Sequence, residues 1–184
     1  MKEQFDLFLR QSEKLRKGYQ TSLSLADENW LEKLVSSVGQ IPELLKIIYS
    51  KVSGTKYEVE DQKYMDFLPG FLLVHIDEYA KASEQLFNLL YTLKISGDFF
   101  PILRNYSSDF VAVKRDSNEI YRIFHDESEI FLIHKTPDDF LKTINAFYLD
   151  KVFFTDDDGY LDYDPDLQYQ VARNHNPDID FWND

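Results

Sequence analysis

The sequence contains no cysteine among its 184 residues. That single absence removes disulfides, thiolate zinc sites and cysteine nucleophiles together, and it fits a reducing compartment. Glycine is also scarce, at six residues, and none of them falls in a GxGxxG or GxxxxGK[ST] pattern that could cradle a phosphate. Positive charge is the third shortage: 20 Lys and Arg stand against 33 Asp and Glu, for a net charge of −13. A nucleic-acid partner held through its phosphates needs a basic face, and an anionic membrane surface needs one too, so neither partner is expected. No apolar run approaches the ~20 residues of a membrane span. The start, Met1-Lys2-Glu3-Gln4-Phe5-Asp6, places charges where a signal peptide needs an apolar stretch. The expectation is a cytosolic, cytoplasmic protein.

What the chain does hold is apolar and aromatic: 43% hydrophobic residues, with 15 Phe and 12 Tyr. A chain this long buries roughly 70% of the surface it exposes when unfolded. One hydrophobic core therefore suffices, and one domain spanning 1–184 is expected. Its charge is uneven. Residues 150–184 carry ten Asp against Lys151 and Arg173, a net of −8, which leaves −5 for the other 149 residues. Such a segment suits a basic protein partner, because opposite potentials speed encounter. It also suits the simpler role of keeping the protein soluble.

Hydrophobic spacing gives the element order. Residues 2–20 read as a helix with Phe5, Phe8, Leu9 and Leu15 on one side and Gly18 as a stop. Ser24 followed by Asp27 reads as a capping pair for a helix bearing Trp30, Leu31, Leu34, Val35 and Val38, which stops at Gly39. Pro42 opens a short helix whose buried stripe is Leu44, Leu45, Ile48 and Tyr49. Residues 50–63 read as a loop, and 67–74 as an apolar run broken by Pro69-Gly70 that holds one short strand. A long helix is predicted over 76–94 with Ile76, Tyr79, Ala80, Ser83, Leu86, Phe87, Leu90 and Leu93 as its stripe. Strands follow at 99–104, 109–114, 119–125 and 129–135, joined by turn-rich connections short enough to force an antiparallel meander. Thr136 caps a further helix, with Pro137 at its first position, acids in its first turn, and Phe140, Leu141, Ile144 and Phe147 inward. Beyond residue 150, Val152-Phe153-Phe154 reads as a strand, 155–159 as a turn and 167–173 as a short helix. Trp182 is too large and apolar to leave bare, so the acidic tail 151–184 is expected to pack on the core. The class is α+β, with a central, mainly antiparallel sheet (the meander at about 99–135) surrounded by helices.

No catalytic motif appears. The Asp-rich stretch fails as an EF-hand: with Gly159 at position 6 the loop begins at Phe154 and ends at Pro165, and the frame from Asp162 has Leu167 at 6 and Arg173 at 12. Asp156, Asp157 and Asp158 are left as weak cation ligands, a solvated acidic hairpin or a partner-binding loop. His125 and His134 fall on neighbouring strands and can approach each other, with Asp126 as a third ligand for zinc; ordinary hydrogen-bonded histidines are the plainer reading. No serine sits in a nucleophile-elbow pattern. No enzymatic activity, metal or cofactor is expected. Tyr160, Tyr163 and Tyr169 alternate with acids, either as rings at the core edge or as a protein-binding surface.

The ordered landmarks resemble the SUKH superfamily, the Smi/Knr-like proteins. They are the Trp30 helix, Gly39-x-x-Pro42, Leu68-Pro69-Gly70 before a strand, Phe100-Pro101-Ile102 at strand entry, Asp109 before Phe110-Val111-Ala112-Val113, and Phe140-Leu141 in the closing helix. Where that family often has a Gly-rich stretch before the Asp, this chain has Asn105-Tyr106-Ser107-Ser108. The resemblance covers 25–150 as a SUKH-like core, flanked by a helical extension at 1–24 and the acidic segment at 151–184. It implies a non-catalytic protein-binding role. Bacterial members include immunity proteins that neutralise a toxin domain, and eukaryotic relatives are regulatory scaffolds. The partner implied is a basic toxin domain such as a nuclease, and the contacts expected for it are Asp156, Asp157, Asp158, Tyr160, Asp162 and Asp164 of the acidic segment. A small-ligand-binding or hydrolytic module is the remaining alternative, and the oligomeric state is left open.

Overall fold

The computed structural model describes residues 1–183, apart from the side chain of Val38. The meander forms as the sequence predicts. Strands β1 (Leu72–Leu73), β2 (Phe99–Arg104), β3 (Phe110–Lys114), β4 (Ile120–Ile123) and β5 (Ile130–His134) make one antiparallel sheet in the order β1-β2-β3-β4-β5. Around it lie α1 (Lys2–Leu15), α2 (Tyr19–Ser22), α3 (Trp30–Val38), α4 (Glu43–Tyr49), α5 (Tyr79–Thr92), α6 (Pro137–Leu149) and α7 (Pro165–His175), with a separate hairpin of β6 (Phe153–Thr155) and β7 (Leu161–Tyr163). The fold is α+β with a central antiparallel sheet.

Both faces of that sheet are covered, which explains why β3 reads as a continuous apolar run. Side chains alternate across a strand. Phe110 and Ala112 face one way, with Ile123 of β4, and pack with Leu86 and Leu90 of α5. Val111 and Val113 face the other way, with Ile120, into the main core. That core also takes Phe5 and Phe8 of α1, Leu44, Leu45, Ile48 and Tyr49 of α4, and Phe140, Leu141 and Ile144 of α6. Both chain ends belong to it. Phe8 stacks on Phe67 at 4.3 Å and meets Tyr148 at 5.9 Å. Val152, Phe153, Leu161, Val171, Ile179 and Trp182 come from the acidic C-terminal segment.

Several helix bounds differ from the sequence reading, each for a local reason. The helix expected over 2–20 breaks after Leu15. Arg16 turns inward, stacks on the Tyr19 ring at 4.0 Å and donates to the carbonyls of Lys63 and Asp66; Gly18 then takes φ +100°, which an L side chain resists. Ser24 does not cap α3. It sits at φ 58°, and its carbonyl accepts the Ser53 N–H while Leu25 bridges Val52. The helix starts six residues later, at Trp30. Of its expected stripe, Leu34 is buried, whereas Leu31 and Val35 are half exposed. Pro42 stands at the N-cap of α4 rather than inside its first turn. In α5 the buried line is Tyr79, Ala82, Leu86 and Leu90; Ala80 and Phe87 face outward, and Ile76 lies in a 3-10 turn before the helix. The Thr136 cap forms as expected, with its hydroxyl accepting the Asp139 N–H.

Close backbone approach fixes one more residue type. Gly54 lies at φ +99° against the chain that enters the long helix, and a Cβ there would stand 2.5 Å from the Val74 carbonyl oxygen. No side chain could move aside to relieve that contact. Leu23 on one side and Val74 on the other are thereby joined through Gly54 and Thr55.

The C-terminal segment covers an edge. Strand β5 is the last in the sheet, so its outer carbonyls and amides lack a sheet partner. The Trp182 indole N–H donates to the Ile133 carbonyl at 2.8 Å, and the His134 side chain meets Asn176 at 2.9 Å. Asn176 in turn donates to Thr143 of α6 and to the Ala172 carbonyl. The tail therefore closes the sheet edge with specific bonds rather than trailing into solvent.

Candidate functional site

Three places in the molecule bear on function. The first is the acidic hairpin. Its turn is ordered by its own first acid: Asp156 Oδ1 accepts the Asp158 and Tyr160 N–H groups at 3.0 and 2.8 Å, and the Gly159 N–H donates to the Asp156 carbonyl. Asp162 Oδ1 accepts from the Tyr163 N–H, and Asp164 caps α7 by accepting from the Leu167 N–H. All six residues expected at a partner interface (Asp156, Asp157, Asp158, Tyr160, Asp162 and Asp164) are exposed, in or beside this hairpin. Three of the acids thus also hold the local backbone. Phe154, paired across the ladder with Asp162, is exposed as well, as are Tyr163 and Tyr169. The tyrosines that alternate with acids in the sequence therefore show their rings at the surface. The hairpin is a preorganised patch of carboxylates and aromatic area.

The second place corrects the histidine expectation. His125 and His134 do not meet. His134 is buried in the main core, between Phe140 and Trp182 at ring distances of 5.4 and 6.0 Å. Burial pulls its pKa down to about 4, against the partial support of the Asn176 bond and Asp139, with His175 pushing the same way as burial. It is a neutral ring, with Nδ1–H donating to Asn176 Oδ1. His125 instead joins Asp109. Asp109 Oδ1 takes both the His125 N–H and its ring Nδ1, at 2.9 and 2.8 Å, and Oδ2 accepts from Asn105 Nδ2. Burial would raise the Asp109 carboxyl, but the bonds from His125 and Asn105 outweigh it and hold the group below the usual carboxylate range. The same bond raises His125. Asp126 lies close enough to give, with Asp109 and His125, three ligand atoms within 4.8 Å. Each Asp109 oxygen already has a donor within the protein, so the geometry is that of a staple between the 105–108 turn and the end of β4.

The third place is a cleft of about 580 Å³ that no motif in the chain marks. It lies where the 56–58 loop, the start of α5 and the 105–108 turn converge. Arg104, the last residue of β2, is buried on its wall with a side chain 5% exposed. Its guanidinium pairs with Glu78 and lies 4.7 Å from the Tyr57 ring centroid. Glu78 accepts the Tyr57 N–H with its other oxygen, and the Tyr106 hydroxyl donates to the Tyr57 carbonyl. Tyr57 and Tyr106 meet edge to face at 4.7 Å and are both substantially exposed. Burial lowers Arg104 from its ordinary value, yet an arginine keeps its proton. His75, also on the wall, is buried, and desolvation lowers it despite Asp77 nearby, so its ring is neutral near pH 7. The contacts of Tyr57 with Glu78 and Tyr106, and of Glu78 with Arg104, join residues 21 to 49 positions apart, so no spacing motif could show them. The one available signal was a lone cation, Arg104, closing an otherwise apolar strand.

These observations define an α+β domain with a covered central sheet, an acidic aromatic hairpin and a polar cleft. No protein-family model matches the chain, and a search of curated proteins finds no match.

Proposed function

We propose that this protein is a non-catalytic binding module, an immunity protein of the SUKH type that neutralises a basic toxin domain by direct contact through its acidic C-terminal surface. The observation that carries this reading is the exposed hairpin and α7 start, where carboxylates and tyrosines share a surface whose backbone is already fixed by strand pairing and caps. Tyrosine supplies contact area at low entropic cost. A fixed loop loses little freedom on binding. The acids steer a cationic partner into place. A nuclease with a basic substrate cleft is the toxin class such a surface would block best. The sequence landmarks and the net charge support the same reading.

Changing Asp156, Asp157, Asp158, Asp162 and Asp164 together to Asn tests the surface. Asn serves at N-caps about as well as Asp, so the fold and the α7 cap should persist. Association with the cognate partner at low salt should slow by on the order of tenfold, and its dependence on ionic strength should flatten. Stopped-flow association rates across a salt series read this directly. Rates and salt slope equal to those of the unchanged protein would place the interface elsewhere.

A further inference from the structure

The cleft beside Arg104 differs in character from the rest of this acidic chain. Its formal charges cancel, with Lys56, Lys81 and Arg104 facing Glu58, Asp77 and Glu78. The acids are mostly committed, though, and the cations mostly are not. Glu78 is taken by Arg104 and the Tyr57 N–H. Asp77 is taken by Lys33 at 2.5 Å, with His75 Nδ1 at 3.7 Å from its other oxygen. Among the described residues, neither Lys56 nor Lys81 has an ion pair or a hydrogen-bonded partner. His75 Nδ1 accepts the Asp77 N–H, which places the proton of the neutral ring on Nε2, and that nitrogen has no protein partner either. Glu58 is the one acid of the lining left unengaged. The uncommitted groups are therefore two ammonium ions and an imidazole N–H against one carboxylate.

The walls add a second, independent feature. Tyr57 and Tyr106 present exposed ring area at the cleft, and Phe110 is buried in its lining. The two tyrosines are held by the Tyr106–Tyr57 hydroxyl bond and by Arg104 beneath. Fixed aromatic walls with a few polar groups converging on them are the usual make-up of a small-molecule site, and the volume falls in the common range for one.

We propose that this cleft binds a small organic anion: a molecule with a carboxylate or phosphate held by Lys56, Lys81 and the His75 Nε2–H, and a planar body lying against Tyr57 and Tyr106. Arg104 acts as a positioning residue. Its pairing with Glu78 fixes the loop that carries Lys56 and Tyr57.

The test uses four probes on the full chain: adenosine monophosphate, adenosine, benzoate and inorganic phosphate. Binding is followed by calorimetry and by the NMR signals of the His75 ring and the lysine side chains. A probe that joins an anion to a ring should bind with a Kd below about 1 mM and shift the His75 signals. Neutral adenosine should bind at least about tenfold more weakly than its monophosphate, because it forgoes the charge-assisted bonds. Monophosphate binding without benzoate binding assigns a phosphate ligand, and the reverse assigns a carboxylate; both support the site. Inorganic phosphate binding more weakly than the monophosphate supports the aromatic wall. The surface pair Lys56→Ala and Lys81→Ala together should weaken the tightest probe about tenfold or more while leaving the melting temperature unchanged, and Tyr106→Ala should weaken it separately. No shift of His75 by any anionic probe, adenosine binding as tightly as its monophosphate, or an affinity indifferent to the lysine pair would each overturn the proposal.

Discussion

Acidification from about pH 6.5 to about pH 4 is expected to remove on the order of 3 kcal/mol of folding stability through His134 alone. The ring has an ordinary histidine pKa in the unfolded chain and one of about 4 in the fold, because it is enclosed by Phe140, Trp182 and α6. The unfolded state therefore binds more protons in that window. The stabilising effect is complete above the unfolded pKa and falls away as pH drops toward the folded one. Asp139 and His175 act on the same ring in opposite directions, and both effects are smaller than burial. His75, also lowered by burial, works in the same sense as His134, while His125, raised by Asp109, works against them. The lowered carboxyls, Asp109 and Asp138 among them, lose their contribution only as pH falls through their own depressed values, which lie below the His134 window. Denaturant unfolding at a series of pH values should show this slope, and replacing His134 by Gln should remove most of it. NMR titration of the His134 ring should find a midpoint near 4; a midpoint near 6.5 would contradict its enclosure.

Truncating the last large side chain should be comparably costly. Trp182→Ala is expected to lower stability by about 3–5 kcal/mol, the usual range for removing a buried aromatic, and the melting temperature by on the order of 10 °C for a domain this size. Two losses combine. The ring leaves contacts with His134, Tyr169 and Phe181, and the indole N–H leaves the Ile133 carbonyl on the sheet edge. Trp182→Phe separates them. It keeps most of the packing but strands that carbonyl, at about 1–3 kcal/mol. Hydrogen exchange should accelerate in β5 and α7 for both variants, more for Ala. An alanine variant that melts and exchanges like the parent would mean that the tail does not hold the edge.

These two effects also show where sequence reasoning succeeded and where it stopped. The meander was legible nearly residue by residue, since its strand-length runs of β-branched and aromatic residues are joined by connections too short for any other pairing. The Thr136-Pro137 helix start and the inward packing of Trp182 were legible because one local rule governed each. The start of α3 was not. Ser24 and Asp27 have the spacing of a cap, but the Ser24 carbonyl and Leu25 are held by the strand-like segment at 52–53, some 28 residues away. Local preference yielded there to a tertiary bond. In α5 the inward line runs through Ala82, in the main core, and then Leu86 and Leu90 against the sheet, which leaves Ala80 and Phe87 outside. The acidic hairpin was visible as composition, yet its order rests on Asp156 accepting two backbone N–H groups, which composition cannot convey. The Arg104 cleft showed only as one cation ending an apolar strand, because its walls come from three separated stretches of chain.

The proposed binding and neutralisation of a basic toxin domain by the acidic aromatic hairpin can be read by affinity capture. The tagged protein is used at low salt, in cells that also express the reading frames neighbouring its own, beside the variant with Asn at the five hairpin aspartates. Bound proteins are eluted by a salt gradient, identified by mass spectrometry and assayed for toxicity. The expected result is one basic toxin domain that elutes only at high salt, is inactive while bound, and is largely lost from the variant. A non-toxic endogenous partner, or a toxin held equally by both proteins and indifferent to salt, would contradict it.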